Sequence, residues 1–135
     1  MISIIISSYS KLNYDNLQRN ISITCGIEHE IIKVHNPNTY GIFEAYNIGA
    51  KRAKFDTLIF CHEDILFPTN NWGTDLVKEL NRPNCGIIGV AGTKYYPHVP
   101  IGWWELNTKN IVHIEQVDGL KTYNYTINKS EPVEV

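Results

Sequence analysis

The sequence predicts an α/β fold built on one mostly parallel, doubly wound sheet. Short apolar runs alternate with segments of helical periodicity from the first residues to about residue 92. This alternation is typical of βαβ units with right-handed crossovers, which place helices on both sides of a parallel sheet in three layers. After Gly92 the chain becomes rich in proline, glycine and aromatic residues, and hairpin or edge strands are expected there instead.

The first βαβ unit lies at the amino terminus. An isoleucine-rich run predicts a strand at 2–7, and a second apolar run predicts a strand at 30–35. The segment between them predicts a helix at 13–24. Gly26 follows this segment closely, and glycine commonly ends a helix.

A second helix is predicted at 42–54, where aromatic residues and alanines recur at helical spacing. Its small residues Ala45, Gly49 and Ala53 lie four apart and form a low ridge. Glycine inside a helix costs about 1 kcal/mol relative to alanine. We therefore expect this ridge to let the helix approach the sheet closely.

The third strand is predicted at 57–62 and leads directly into three ionisable residues, His62, Glu63 and Asp64. Charged side chains are almost never fully buried without a partner, so we expect these residues where the strand leaves the sheet. Ligands bind at the carboxyl ends of strands in open α/β sheets. An imidazole and two carboxylates there suit a divalent cation and a diphosphate. The alternative is a plain strand-to-loop transition with three solvated side chains.

The remaining elements are a helix, a strand and two strand-like segments. A helix is predicted at 72–81, where apolar residues share one face before Pro83 ends it. The run at 86–91 contains only apolar residues and glycine, and it predicts a fourth strand buried on both faces. Strand-like segments at 110–116 and 121–127 are expected as hairpins or as an edge extension of the sheet.

The composition excludes several classes of protein. A length of 135 residues fits one domain, 1–135. A net charge of -2 and an isoelectric point near 6.2 give no electrostatic footprint for nucleic acid. The apolar runs are too short for a transmembrane segment or a signal sequence. The three cysteines lack C-x-x-C spacing, which indicates reduced thiols in a cytoplasmic protein rather than a disulfide or zinc framework.

Three motifs resemble those of family 2 glycosyltransferases with the GT-A fold. The segments EAYNIGAKRA and LIFCHED resemble the family's asparagine-containing helix and the strand that ends in its metal-binding Asp-X-Asp element. The strands at 2–7 and 30–35 resemble the family's first and second strands. The resemblance covers residues 1–92 and is greatest with a bacterial subgroup that has His-x-Asp in place of Asp-X-Asp. It implies a GT-A-like, Rossmann-like domain and a part in bacterial polysaccharide biosynthesis.

The resemblance implies a metal site at the end of the third strand. Asp64 matches the second aspartate of the family element and His62 takes the position of the first, so both are expected to bind Mn²⁺ or Mg²⁺. Imidazole brings no charge and favours softer metals than Mg²⁺. In the alternative, His62 bonds a phosphate directly or caps the strand. Glu63, the variable middle residue, is expected to face the ribose or solvent.

The resemblance also implies donor-binding residues along the same edge. Ser8 and Tyr9 end the first strand and are expected near the nucleotide base. His35 stands where the family usually carries a base-recognising aspartate. Because histidine can also donate a hydrogen bond, the identity of the nucleotide cannot be carried over. On the second helix, Asn47 and Lys51 are expected to contact the donor, Lys51 through its diphosphate, and the alternative is a solvated helix face.

The acceptor side is expected in the last third of the chain, 93–135. Trp103 and Trp104 belong to an aromatic cluster, and aromatic rings pack well against sugars. The alternative is that these side chains cover the hydrophobic core. Inverting members of the family use a carboxylate base, commonly in a Glu-Asp pair, and the only such pair here lies at the expected metal site. Asp118, Glu115 and Glu105 are the carboxylates that remain as candidates for the base, and Asp118 and Glu105 are the first to test.

The sequence therefore predicts a glycosyltransferase-like enzyme that binds a nucleotide-diphosphate sugar through residues 1–92. It would transfer the sugar to a saccharide or lipid-linked acceptor. One alternative is a non-catalytic nucleotide-sugar-binding or assembly module, and another is a flavodoxin-like domain that binds a phosphate ligand. Residues 93–135 are expected to form a partial acceptor-side region, so the chain is a fragment of a longer enzyme or has a reduced acceptor half. A homo-oligomer is compatible with this interpretation.

Overall fold

The computed structural model describes residues 1–93, 110–112, 114–118 and 121–124. The chain divides into two compact units, Met1–Arg82 and Pro83–Val135. The interpretation of 1–135 as one domain, with a donor half 1–92 and an acceptor region 93–135, stays a prediction. None of the described helices is long and apolar enough to cross a membrane.

A parallel sheet of three strands forms the centre of the first unit. Its elements, in chain order, are β1 (Ile2–Ser8), α1 (Lys11–Thr24), β2 (His29–His35), α2 (Ile42–Ala50), β3 (Leu58–His62) and α3 (Trp72–Leu80). The strand order is β2-β1-β3, and β1 pairs in parallel with both neighbours. The predicted mixed α/β fold with a parallel sheet is confirmed for these three strands.

The core lies on both faces of β1. On one face the even-numbered isoleucines of β1 pack with Leu17 and Ile21 of α1 and with Trp72 of α3. On the other face Ile5 packs with Ala45 of α2. β-branched side chains fit the pleated surface of a strand well, and here they fill both sides of it. The helices therefore lie in layers on either side of the sheet.

Helix α1 begins two residues before the predicted start, because Ser10 caps it. The Ser10 hydroxyl accepts a hydrogen bond from the Asn13 N–H at 3.3 Å, which satisfies one of the free donors of the first turn. The helix ends at Thr24, and Gly26 follows in the left-handed region with φ +74°. Glycine adopts this conformation without steric cost, so its predicted role as the helix stop is confirmed.

Helix α2 is shorter than the predicted 42–54 and ends at Ala50. The N–H groups of Arg52 and Ala53 bond carbonyls three residues earlier, so the chain tightens out of the α-helix there. The ridge of small residues does bring α2 close to the sheet. Gly49 is buried, and a Cβ added to it would overlap the Cγ2 atom of Ile5.

The Glu30 carboxylate stabilises the amino edge of the sheet through hydrogen bonds. Glu30 of β2 accepts hydrogen bonds from the Ser3 hydroxyl at 2.7 Å and from the Lys54 N–H at 2.6 Å. The Ser3 hydroxyl in turn accepts one from the Phe55 N–H at 3.1 Å. These bonds hold the segment after α2 against β1 and β2. The donors, first the Lys54 N–H and then Ser3, lower the pKa of Glu30 below its ordinary value, against a smaller opposing effect of burial.

The second unit contains two antiparallel strand pairs. Strand β4 (Ala91–Thr93) pairs with β5 (Asn110–Val112), and β6 (Glu115–Asp118) pairs with β7 (Lys121–Asn124). The predicted parallel strand at 86–91 is wrong: the strand begins only at Ala91, its pairing is antiparallel, and Ile87 is 91% exposed. Its expected burial on both faces is wrong as well, since residues 86–90 are exposed, because an apolar run alone does not determine what packs against it.

Gly49→Ala tests the close approach of α2 to the sheet. Helix propensity alone favours alanine by about 1 kcal/mol. We expect instead a loss of about 1–3 kcal/mol in the free energy of unfolding, because the added methyl overlaps the fully buried Ile5. Gly41→Ala, at a position where a Cβ meets nothing within 4 Å, is the control and should cost much less. Urea denaturation measures both, and a stabilised Gly49→Ala protein would contradict the packing.

The lowered pKa of Glu30 predicts a pH dependence of stability. The folded state favours the ionised carboxylate, so its contribution is complete above the ordinary value of 4.5 and is lost as the pH falls through the lower folded pKa. Glu30→Gln should therefore flatten the fall in unfolding free energy below pH 4.5, and Ser3→Ala, which removes one of the donors, should flatten it in part. Denaturation series at several pH values measure the slope. An unchanged slope in Glu30→Gln would rule out this network.

Candidate functional site

An open cleft of about 320 Å³ lies at the carboxyl edge of the three-stranded sheet. The ends of β1, β2 and β3 all reach this edge, because the strands are parallel: Ser8 pairs with His35, and Ser7 pairs with His62. The cleft lining comes from the segments that follow each strand and from the first turn of α1. This position is where open α/β sheets bind ligands.

The three ionisable residues at the end of β3 differ in their surroundings. Side chains along a strand alternate between its two faces, so neighbours point in opposite directions. Cys61 is buried in the cluster beside α1 and α3, whereas the His62 ring lies 6.3 Å from the Tyr46 ring of α2 in an edge-on arrangement. All three residues line the cleft, but Glu63 is only 5% exposed, whereas His62 and Asp64 are exposed.

Glu63 lines the cleft but is buried, so it does not face bulk solvent, and its expected place beside the ribose stays a prediction. Both of its carboxylate oxygens accept the Ser10 N–H at 3.0 Å. Burial raises the pKa of Glu63, but the Ser8 hydroxyl, the backbone N–H groups of Ser10 and Tyr9, and the charge of Lys33 together hold the pKa below its ordinary value. Glu63 is therefore a buried anion that the segment after β1 stabilises.

Ser8 and Tyr9 form the wall of the cleft at the end of β1. Tyr9 is 70% exposed, and its ring is available to a ligand. Ser8 is 1% exposed, and its hydroxyl makes no hydrogen bond of standard geometry with any described group, although it lies near enough to Glu63 to influence that carboxylate. A buried polar group without a partner is rare and marks a place where a ligand atom or water can bind.

The loop after β2 forms the opposite wall and was largely missed from the sequence. Asn36 organises it: its Nδ2 donates to the Ser7 hydroxyl and the Tyr40 carbonyl, and its Oδ1 accepts the Tyr40 N–H at 2.8 Å. Asn38 takes φ +59°, which asparagine tolerates better than most residues. Asn38, Tyr40 and Ile42 line the cleft, as does Asn13 of α1. The turn-forming Asn-Pro-Asn pattern was the available signal.

Three residues of the first unit that were selected from the sequence, His35, Asn47 and Lys51, do not line the cleft. His35 is exposed at the end of β2, and Asn47 and Lys51 are exposed at the end of α2. Asp118 is exposed in β6 of the second unit, where Glu115 is also exposed. Trp103, Trp104 and Glu105 lie outside the described residues. Their roles as donor, acceptor or base residues stay predictions.

The cleft contains few side chains that could coordinate a metal ion. Among residues 1–93 and the described strands of the second unit, no group of three or more His, Cys, Asp or Glu side chains could hold one. Glu63 is engaged by Ser10, which leaves His62 and Asp64. Catalytic Mg²⁺ sites commonly use only one or two carboxylates and complete the shell with substrate phosphates and water. These two residues therefore fit a cation that a bound diphosphate helps to coordinate.

Comparison with known proteins gives one match. The sequence model of a glycosyltransferase-like family matches residues 3–135. No curated protein and no solved structure matches the chain. The matched region includes the whole cleft and the second unit.

Two buried serines on β1 give a stability test of the cleft. The buried Ser3 hydroxyl donates to Glu30 and accepts the Phe55 N–H, so Ser3→Ala should cost about 1–3 kcal/mol of unfolding free energy by removing both hydrogen bonds. Ser8 makes no hydrogen bond of standard geometry, but its hydroxyl favours the ionised form of Glu63, so Ser8→Ala should cost less than Ser3→Ala without being stabilising. Urea denaturation at pH 7 measures both. Equal losses would mean that the Ser8 hydroxyl is already engaged, with Glu63 as its partner.

Proposed function

The chain belongs to this glycosyltransferase-like family, and we propose that it binds a nucleotide-diphosphate sugar in the cleft at the carboxyl edge of its sheet. It transfers the sugar to a saccharide or lipid-linked acceptor. The observation that carries the proposal is the cleft itself, in which exposed His62 and Asp64 lie with Ser8, whose buried hydroxyl has no partner of standard geometry. Family membership supports the reaction class, and the cleft supports where the donor binds.

Asp64 and His62 would hold Mn²⁺ or Mg²⁺ together with oxygens of the donor diphosphate. Such a cation supplies Lewis-acid stabilisation of the diphosphate as it leaves. Asp64 contributes the only free carboxylate of the tripeptide, since Glu63 accepts the Ser10 N–H. We expect the metal to bind weakly without nucleotide, because the chain supplies few of its ligands.

The walls of the cleft suit the rest of the donor. The Ser8 hydroxyl can donate to a phosphate or ribose oxygen, and the exposed Tyr9 ring offers an apolar face to a base. Asn38 and Asn13 add amide groups, which both donate and accept hydrogen bonds. The side-chain amide of Asn36 is already engaged within the protein, because its nitrogen donates to Ser7 and Tyr40 and its oxygen accepts the Tyr40 N–H.

The reaction also needs a base for the acceptor hydroxyl if the sugar is transferred with inversion. We assign this role to Asp118 or Glu105. Trp103 and Trp104 are assigned to the acceptor. Asp118→Asn and Glu105→Gln test the base directly: one of them should abolish acceptor-dependent release of nucleoside diphosphate while leaving donor binding unchanged.

Nucleotide binding tests the donor site. Uridine, guanosine or thymidine diphosphate should bind more tightly with Mn²⁺ than without it. One interaction with a charged group contributes about 1.5–3 kcal/mol to binding, which corresponds to roughly 10- to 100-fold in affinity. Asp64→Ala should lose this metal-dependent increment, and Ser8→Ala should weaken binding with and without metal. Isothermal titration calorimetry measures each dissociation constant.

Asp56→Ala is the matched control for Asp64→Ala. Asp56 is exposed and precedes β3, so it lies at the opposite end of the strand from the cleft, and its loss should leave the increment intact. Equal affinity with and without Mn²⁺ in the wild type would exclude the metal site. Absence of binding by all three nucleotides would overturn the proposed function.

A further inference from the structure

Glu63 lines the cleft with His62 and Asp64, but its carboxylate bonds the residue at the start of α1. It is buried, and both of its oxygens lie 3.0 Å from the backbone nitrogen of Ser10. Ser10 is the residue that caps α1, and it directly follows the cleft residues Ser8 and Tyr9. Glu63 therefore joins the end of β3 to the segment that connects β1 with α1.

The negative charge of Glu63 is balanced within the protein. Its carboxylate accepts the backbone N–H of Ser10, the N-cap residue of α1, through both oxygens. The free N–H groups at the start of α1 add to this favourable interaction. The carboxylate is therefore held against the start of α1.

We propose that Glu63 is a positioning residue, whose carboxylate fixes the segment 8–10 against β3 and so pre-forms the wall of the nucleotide cleft without contacting the ligand or its metal. The inference rests on the proposed function, because it concerns how the same cleft is kept ready for the nucleotide. It assigns different tasks to adjacent residues: Asp64 acts on the ligand and Glu63 acts through the backbone of Ser10.

Several cleft residues depend on this anchor. Ser8 and Tyr9 precede Ser10, and Asn13 donates its N–H to the Ser10 hydroxyl at 3.3 Å. Release of Ser10 would let Tyr9 and Asn13 leave their positions, whereas the backbone of Ser8 is also held by the pairing of β1 with β2. A ligand that binds only the ordered arrangement loses apparent affinity in proportion to the fraction of molecules that still adopt it.

The experiment compares Glu63→Ala, Glu63→Gln and Asp64→Ala by calorimetry with uridine, guanosine and thymidine diphosphates, each with and without Mn²⁺. Glu63→Ala should weaken binding about tenfold or more in both conditions, since hydrogen bonds to a charged group are lost from the wall. Glu63→Gln keeps one acceptor oxygen for the Ser10 N–H and should restore much of the affinity. In both variants the ratio of affinities with and without Mn²⁺ should stay that of the wild type, whereas Asp64→Ala should abolish it.

Glu30→Gln is the matched control. Glu30 also accepts a backbone N–H, but at the amino edge of the same sheet, so its loss should lower stability and leave nucleotide affinity unchanged. Hydrogen exchange gives an independent readout that needs no ligand. The Ser10 amide should lose protection in Glu63→Ala and keep most of it in Glu63→Gln.

Three results would overturn the proposal. The first is wild-type affinity in both Glu63 variants, and the second is loss of the Mn²⁺ effect in Glu63→Gln, which would place Glu63 on the cation. The third is unchanged exchange of the Ser10 amide, measured in Glu63→Gln and Glu63→Asp if Glu63→Ala does not fold. If the wild type binds none of the nucleotides, the proposed function fails, and the exchange experiment still decides whether Glu63 fixes the segment.

Discussion

The burial of β1 between two parallel neighbours is the constraint on which the first unit depends. Its isoleucines are completely buried and fill both faces of the sheet, with α1 and α3 on one side and α2 on the other. A shift of one residue in its pairing would exchange the two faces, so the packing determines the register. That register places Ser3 at the amino edge and Ser8 at the carboxyl edge.

Two carboxylates perform the same physical task at these two edges. Glu30 accepts the Lys54 N–H at the amino edge, and Glu63 accepts the Ser10 N–H at the carboxyl edge. Each joins a connecting segment to a neighbouring strand through a charge-assisted hydrogen bond, which is stronger than a neutral one. At the carboxyl edge the cleft also contains an exposed carboxylate, Asp64, which is available to a ligand.

The cleft combines rigid and adaptable parts. The strand ends and the two Glu63 hydrogen bonds define one wall, and the Asn36 side chain closes the loop that forms the other. The residues that project into the cleft are mostly hydroxyl and amide groups, together with one free carboxylate and one imidazole. This composition suits a polar, phosphate-bearing ligand better than an apolar one, in agreement with the family to which the chain belongs.

The sequence by itself determined the α/β class, the three parallel strands, the helix stop at Gly26 and the position of the H-E-D tripeptide at the sheet edge. These features follow from local patterns: apolar runs, helical spacing and the cost of burying charge. The tripeptide could not be resolved into separate roles, because the direction of each side chain depends on what lies on either face of β3. The tertiary structure decided that Glu63 turns to the α1 side and that the apolar run at 86–91 is not a parallel strand. Both outcomes depend on contacts between segments far apart in the chain, and a local pattern carries no information about such partners.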